Sequence, residues 1–269
     1  MKKPSVPFWL LPNVLSLDAP VVAVLWQDLL ARSEGVEPRA SGRAVLFLTV
    51  WAIYLADRLL DARLSPQAVE APRHRFYREH WRAAAGLLAL VASLDLLVTV
   101  LWLRPSIFLS GMLVFAAVGV YFGLIHWLGS PAVPKELAAA LLFAAGVQLV
   151  PWSLAPGLSA MGSAHFAGFF GLCFSNLVMI ELWEWRGSAA GADRPNALTL
   201  LAGSAMYWLL GVLVLVSAIR WSDPASWAIA LSAMALAGLW ASSTRLSPDV
   251  RRVCADAALL TPCLVFLLR

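Results

Sequence analysis

The chain has 269 residues, of which 61% are hydrophobic and only 13% charged, far from the roughly 25% charged residues of an average soluble domain. At about 20 apolar residues per span, this length holds about eight to ten membrane crossings with short loops and excludes a soluble domain beside them. The net charge of +4 comes from lysines and arginines set in loops between apolar runs, so it argues for orientation in a membrane and against nucleic acid as a partner.

The start, Met1-Lys2-Lys3, resembles the charged end of a signal peptide, but Pro4, Pro7, Pro12 and Asp18 interrupt the next stretch of chain and no small-residue cleavage site stands out. The N-terminus is therefore expected to be retained. Apolar runs between loop signals predict nine helices, at about 13–32, 41–62, 82–103, 106–128, 134–153, 163–185, 197–219, 225–243 and 252–268. Pro105, the stretch from Ser130 to Pro134, Pro156 with Gly157, Pro195 and Pro224 all fall in the breaks, where proline costs least. The expected fold is all-α, a polytopic membrane bundle of nine transmembrane helices forming one domain over residues 1–269. With the N-terminus inside, 14 of the 20 lysines and arginines fall on the cytoplasmic side, and the even-numbered helices end there.

The second helix ends in Ala56-Asp57-Arg58-Leu59-Leu60-Asp61. Carboxylates at positions 57 and 61 share a helix face and repel each other, so an apolar helix keeps them at a cost unless a positive charge sits between them. A divalent cation is the candidate. The loop after this helix carries Arg73, Arg75 and Arg78 around His74 and His80, and arginines hold phosphates bidentately. The two histidines are six apart and do not share a helix face, which argues against a metal site there. Asp95 falls near the middle of the third helix, where an ionised carboxylate is expensive, and an interior group such as Gln148 is a possible partner. Lys135 opens the fifth helix and adds a point charge on the same side.

The sixth helix closes with Ile180-Glu181-Leu182-Trp183-Glu184-Trp185-Arg186-Gly187. By span parity, Glu181 and Glu184 face the same compartment as Asp57 and Asp61, and four carboxylates meeting across a cavity would bind Mg²⁺, which prefers a few carboxylates plus waters and phosphate oxygens. Cys173, Cys254 and Cys263 are widely spaced in or beside apolar segments and read as packing residues. The many aromatics read as interface anchors and packing, with Tyr54, Tyr121 and Trp183 nearest the acidic clusters. Aromatic faces there would suit an allylic carbocation.

These residues resemble the UbiA superfamily of intramembrane prenyltransferases, whose nine helices carry two aspartate-rich motifs closing helices two and six. Asp57 and Asp61 match the last two aspartates of the first motif, N-D-x-x-D-x-x-x-D, with Ile53 and Tyr54 in place of its leading Asn and Asp. Glu181, Glu184, Gly187 and Ser188 are similar to the second motif, D-x-x-D-x-x-G-D. Tyr121 resembles the tyrosine ending the family's fourth helix, with His126 near the position of a family lysine. Pro134-Lys135-Glu136-Leu137 resembles the start of its fifth helix, and Arg73 or Arg75 resembles the arginine after its first motif.

The resemblance implies that Asp57, Asp61, Glu181 and Glu184 hold Mg²⁺ and act in catalysis, while Tyr54, Arg58, Arg73, Arg75, Tyr121 and Lys135 bind a prenyl diphosphate. The expected reaction is transfer of the prenyl group to a lipophilic, aromatic acceptor among the lipids of a bacterial inner membrane. Two other readings stand beside it: a relative that binds or cyclises an isoprenoid without transfer, and an ion-coupled transporter using Asp95.

Overall fold

A computed structural model describes residues 7–64, 72–128, 134–155, 159–187, 194–220 and 222–268, with backbone only at 64, 72–75 and 126–128. All regular structure among them is helical. The helices are α1 (Leu11–Val14), α2 (Asp18–Ser33), α3 (Ala40–Leu64), α4 (Pro72–Glu79), α5 (Trp81–Trp102), α6 (Pro105–Leu128) and α7 (Lys135–Leu154). They continue with α8 (Ala160–Gly187), α9 (Ala197–Ser204), α10 (Met206–Ala218), α11 (Pro224–Ser242), α12 (Pro248–Ala257) and α13 (Pro262–Leu267). Among the described residues, five helices are long and apolar enough to cross a membrane, or seven if each of two bent pairs is one span. This is the make-up of an integral membrane protein, since only helices satisfy every backbone hydrogen bond internally in lipid.

Six of the nine predicted segments appear as single helices, α3, α5, α6, α7, α8 and α11. The second is α3, whose five charged residues, Arg43, Asp57, Arg58, Asp61 and Arg63, set it apart from the five apolar helices. The first segment is broken: its two parts bend by 74° around Leu15–Leu17. Ser16 takes the left-handed backbone there, at φ 55, and Leu17 N–H closes onto Pro12 O at 2.8 Å, a Schellman-type stop with serine where glycine is usual. The seventh segment bends by 66° at Ala205. In the ninth, helix stops at Ala257 and resumes at Pro262, whose missing N–H cannot continue the ladder. The loop predicted between the second and third segments contains α4, with proline at its first position.

The chain groups into two compact units, one of residues up to Val24 with Arg39–Leu103, the other of Leu25–Pro38 with Arg104 onward. In the first unit, Leu55 and Leu59 of α3, Tyr77 of α4 and Ala84 and Val91 of α5 form a buried core. Tyr77 is the plug by which α4 seats on the unit. Leu90, Leu94, Leu97 and Leu101 make an exposed stripe at helical spacing on α5, the face a membrane helix offers to lipid. Trp51 Nε1 donates to Leu15 O at 2.9 Å, taking up a carbonyl left by the break after α1.

Asp95 finds its partner within this unit. Thr49 Oγ1 donates to Asp95 Oδ2 at 2.6 Å, while Gln148, the partner expected from the sequence, donates instead to Glu34. Thr49→Val should lower the denaturation midpoint in detergent by the equivalent of about 1–3 kcal/mol, the cost of a half-buried acceptor losing its donor. No change would mean that water replaces the hydroxyl.

In the second unit α8 is the central element. Its buried residues, among them His165, Phe169, Leu172, Asn176, Met179, Leu182 and Trp183, lie on several faces because α7, α9, α10, α11 and α12 all pack against it. Trp26 of α2 stacks on Phe169 with ring centroids 4.6 Å apart. Its indole N–H donates to Leu259 O at 2.8 Å, a carbonyl that the break between α12 and α13 leaves available. Gly203 leaves room for the end of the Leu182 side chain, which would have to shift if a Cβ stood there. Gly35, at φ 69, ends α2 in a second Schellman-type stop with Val36 N–H on Ala31 O.

Candidate functional site

In the first unit, helical spacing brings Asp57 and Asp61 onto one face at the C-terminal end of α3. The positive charge between them is the helix's own: Arg58 Nη1 lies 3.8 Å from a carboxylate oxygen of each. Arg58 is mostly covered while both carboxylates are 42% exposed, so the pair presents its oxygens outward with the guanidinium beneath. Tyr54 sits half-buried one turn earlier on α3. Asp18 accepts from Asn13 Nδ2 at 2.7 Å and from its own first helical turn, fixing the start of α2. Arg63 lays its guanidinium 4.1 Å above the Trp81 ring. Arg73, His74 and Arg75 lie on α4, but their side chains fall outside the described residues.

The second unit assembles a different set. Lys135, placed by Pro134 at the first position of α7, has its Nζ 3.0 Å from Glu181 Oε2 and 3.9 Å from Glu136 Oε1. Tyr121 of α6 donates its hydroxyl to the Lys135 carbonyl at 3.4 Å. Glu184, one turn beyond Glu181, pairs with Arg252 of α12. Tyr121, Lys135 and Glu181 therefore come together, while Glu184 is drawn to α12. Ser188 and Asp193 lie outside the described residues, as does the side chain of His126.

Several polar partners were not anticipated from the sequence. Glu136 is buried, and its Oε2 accepts from Thr199 Oγ1 at 2.7 Å and Asn196 Nδ2 at 2.9 Å. Asn196 in turn caps α9 by accepting from Thr199 N–H at 2.9 Å. Behind Glu184, Trp183 stacks on Trp240, with Arg251 5.6 Å from the first ring and Arg186 5.6 Å from the second. The Arg251-Arg252 doublet was visible in the sequence, but only as positive charge near a span. Its pairing with a glutamate 68 positions away was not.

Among the described residues, no three His, Cys, Asp or Glu side chains converge as a metal-holding group. The three cysteines are free thiols, Cys173 buried in α8. Comparisons with protein-family models, curated proteins and solved structures find no match for this chain.

Proposed function

We propose that the protein is an intramembrane prenyltransferase of the UbiA type, which takes a prenyl diphosphate with Mg²⁺ and passes the prenyl group to a lipophilic aromatic acceptor. In this reading nine segments cross a bacterial inner membrane, with α3, the bent first and seventh segments and the α12–α13 pair included. The N-terminus and the ends of α3 and α8 face the cytoplasm. The observation that carries the reading is that the acidic groups closing α3 and α8 each lie beside a cation: Asp57 and Asp61 flank Arg58, Glu181 meets Lys135, and Glu184 meets Arg252.

A metal diphosphate carries both signs of charge, so the Asp57, Arg58 and Asp61 set of the first unit, or the Lys135 and Glu181 pair of the second, each taken by itself, accommodates it by exchanging partners. The carboxylates turn to the metal and the guanidinium and ammonium groups to phosphate oxygens. The donor set fits magnesium, which takes one or two carboxylates and completes its shell with waters and phosphate oxygens. When bound, the ion would neutralise the leaving diphosphate. In its own unit, Arg58 offers a planar fork and Lys135 a compact charge, each able to meet a phosphate oxygen as negative charge grows there. In this reading the ring of Tyr54, one turn before Asp57, would stabilise an allylic cation through its face.

With purified protein in detergent, Asp57→Asn and Asp61→Asn should each weaken Mg²⁺-dependent retention of farnesyl diphosphate by about 10- to 100-fold, the loss of one charge-assisted contact. Glu181→Gln and Glu184→Gln test the second cluster separately. Retention unchanged by all four substitutions would remove the mechanism. The pairing of the carboxylates with cations also favours a second reading, an isoprenoid-binding relative without transfer. A prenylated acceptor in membranes of an expressing host, absent with Asp61→Ala, would exclude it.

A further inference from the structure

At the end of the second unit where α8 and α11 stop and α12 begins, two arginines and two tryptophans form a row. Trp183 of α8 and Trp240 of α11 stack with ring centroids 6.0 Å apart and planes 29° from parallel. Arg251 of α12 holds its guanidinium carbon 5.6 Å from the centre of the Trp183 ring, and Arg186 holds its own 5.6 Å from that of Trp240. Each ring of the pair thus has a cation over it. Both α8 and α11 are long and apolar enough to cross a membrane, so this end of the unit lies where hydrocarbon gives way to lipid headgroups.

Ordinary interface anchoring accounts for only part of this row. An anchoring tryptophan turns its ring N–H to water or to a headgroup. Trp183 is 5% exposed, and its Nε1 is buried without a hydrogen-bond partner. Nε of the half-buried Arg251, the cation over the same ring, is buried and unpartnered too. Both atoms carry a hydrogen and neither can accept one, so what the cluster lacks is an acceptor. Each buried donor left unmet costs about 1–3 kcal/mol. Charge points the same way: Glu184 is taken by Arg252 and Glu181 by Lys135, while among the described residues no carboxylate lies within ion-pair distance of Arg186 or Arg251.

We propose that Arg251 and Trp183 form a binding site for the phosphate of an anionic membrane lipid. A phosphodiester oxygen supplies the acceptor missing at Arg251 Nε and Trp183 Nε1, and its negative charge answers a guanidinium whose planar fork suits a phosphate. The stacked indoles hold Arg251 over one ring, so its charge stands at a fixed place on the unit. Arg186, on the other ring, adds a second positive charge at the same end. A lipid fits better than a free phosphate because basic pockets between membrane helices face anionic headgroups that are always present there. The site uses none of the residues assigned to the prenyl diphosphate, and it is independent of the transferase reading.

Native mass spectrometry of the full-length protein, incubated in detergent with an equimolar mixture of phosphatidylglycerol and phosphatidylcholine, tests the site. The wild type should retain phosphatidylglycerol with a preference of about tenfold. Arg251→Gln should lower that retention by about 10- to 100-fold, the loss of a hydrogen bond to a charged group. Trp183→Phe, which keeps the stacked ring and removes the N–H, should lower it by about tenfold. Arg220→Gln, a change at an arginine beside Met161 near the start of α8, should leave it unchanged. Equal retention of the two lipids by the wild-type protein would overturn the proposal, whether or not any variant folds. So would retention by Arg251→Gln equal to that of the wild type. Loss of the lipid from the wild type on adding inorganic diphosphate at the same concentration would overturn it as well, by making the ligand a free phosphate.

Discussion

Asp223→Ala is expected to destabilise the second unit by about 3–5 kcal/mol, the cost of removing one partner of a buried, hydrogen-bonded pair. One oxygen of this side chain receives His165 Nε2, Ser226 N–H and Ser226 Oγ–H, so alanine strips the cap from α11 and leaves a buried imidazole N–H unpaired. The loss should appear as a large drop in the thermal or denaturant midpoint of the detergent-solubilised protein. Combining Asp223→Ala with His165→Ala should cost clearly less than the two single changes together, because the residues share one interaction. Full additivity would show that the pair contributes nothing as a pair.

The same residue predicts a pH dependence with a definite sign. Burial raises the Asp223 carboxyl, but the hydrogen bond and charge of His165 and the two Ser226 donors outweigh it and hold the group well below the usual carboxylate range. A carboxyl lowered on folding contributes stability that is complete above its unfolded value of about 3.9 and lost as the pH falls towards its folded value. The wild-type midpoint should therefore fall as the pH drops below about 4. Asp223→Asn, which keeps the shape without the titrating group, should be flatter across that window. Glu34 acts in the opposite direction: it is raised on folding, and its contribution fades as the pH climbs through its folded value.

Trp26→Ala should cost a similar amount, about 3–5 kcal/mol, from the cavity left by the largest fully buried side chain of the unit. The ring fills the space beside Phe169, and its N–H satisfies the Leu259 carbonyl at the break between α12 and α13. Trp26→Phe separates the two contributions. It keeps most of the packing and loses the hydrogen bond, for an expected cost of about 1–3 kcal/mol. Equal midpoints for the phenylalanine and alanine variants would mean that ring packing against Phe169 contributes nothing.

The helices that were plain in the amino-acid sequence, α5, α6, α7, α8 and α11, are long apolar runs ended by proline or polar loops. Burial of backbone in lipid leaves such runs little choice of structure. The bend at Ser16 falls in a stretch that Pro12 and Asp18 already interrupt, but no glycine marks the left-handed position there, and the bend at Ala205 was not legible because the chain on both sides of it is apolar. The short helix α4 was hidden for a different reason: it is polar, and what holds it is the burial of Tyr77 against α3 and α5.

The candidate site divides along the same line. That Asp57 and Asp61 share a face follows from 3.6 residues per turn, and so does the need for a positive charge near them. Local spacing also placed Arg58 within reach of both, although which cation takes that position is a matter of side-chain geometry. The pairing of Glu181 with Lys135 and of Glu184 with Arg252 depends on how α7, α8 and α12 pack, and no periodicity encodes it. Nor does any motif mark the pairing of Gln148 with Glu34 or of His165 with Asp223. Hydropathy and helical spacing thus settled the membrane class and the faces of individual helices, because these depend on neighbours within a few turns. The partners of each buried charge were decided by packing, because in a low-dielectric interior a charge is held by whichever opposite group the fold brings within a few ångströms.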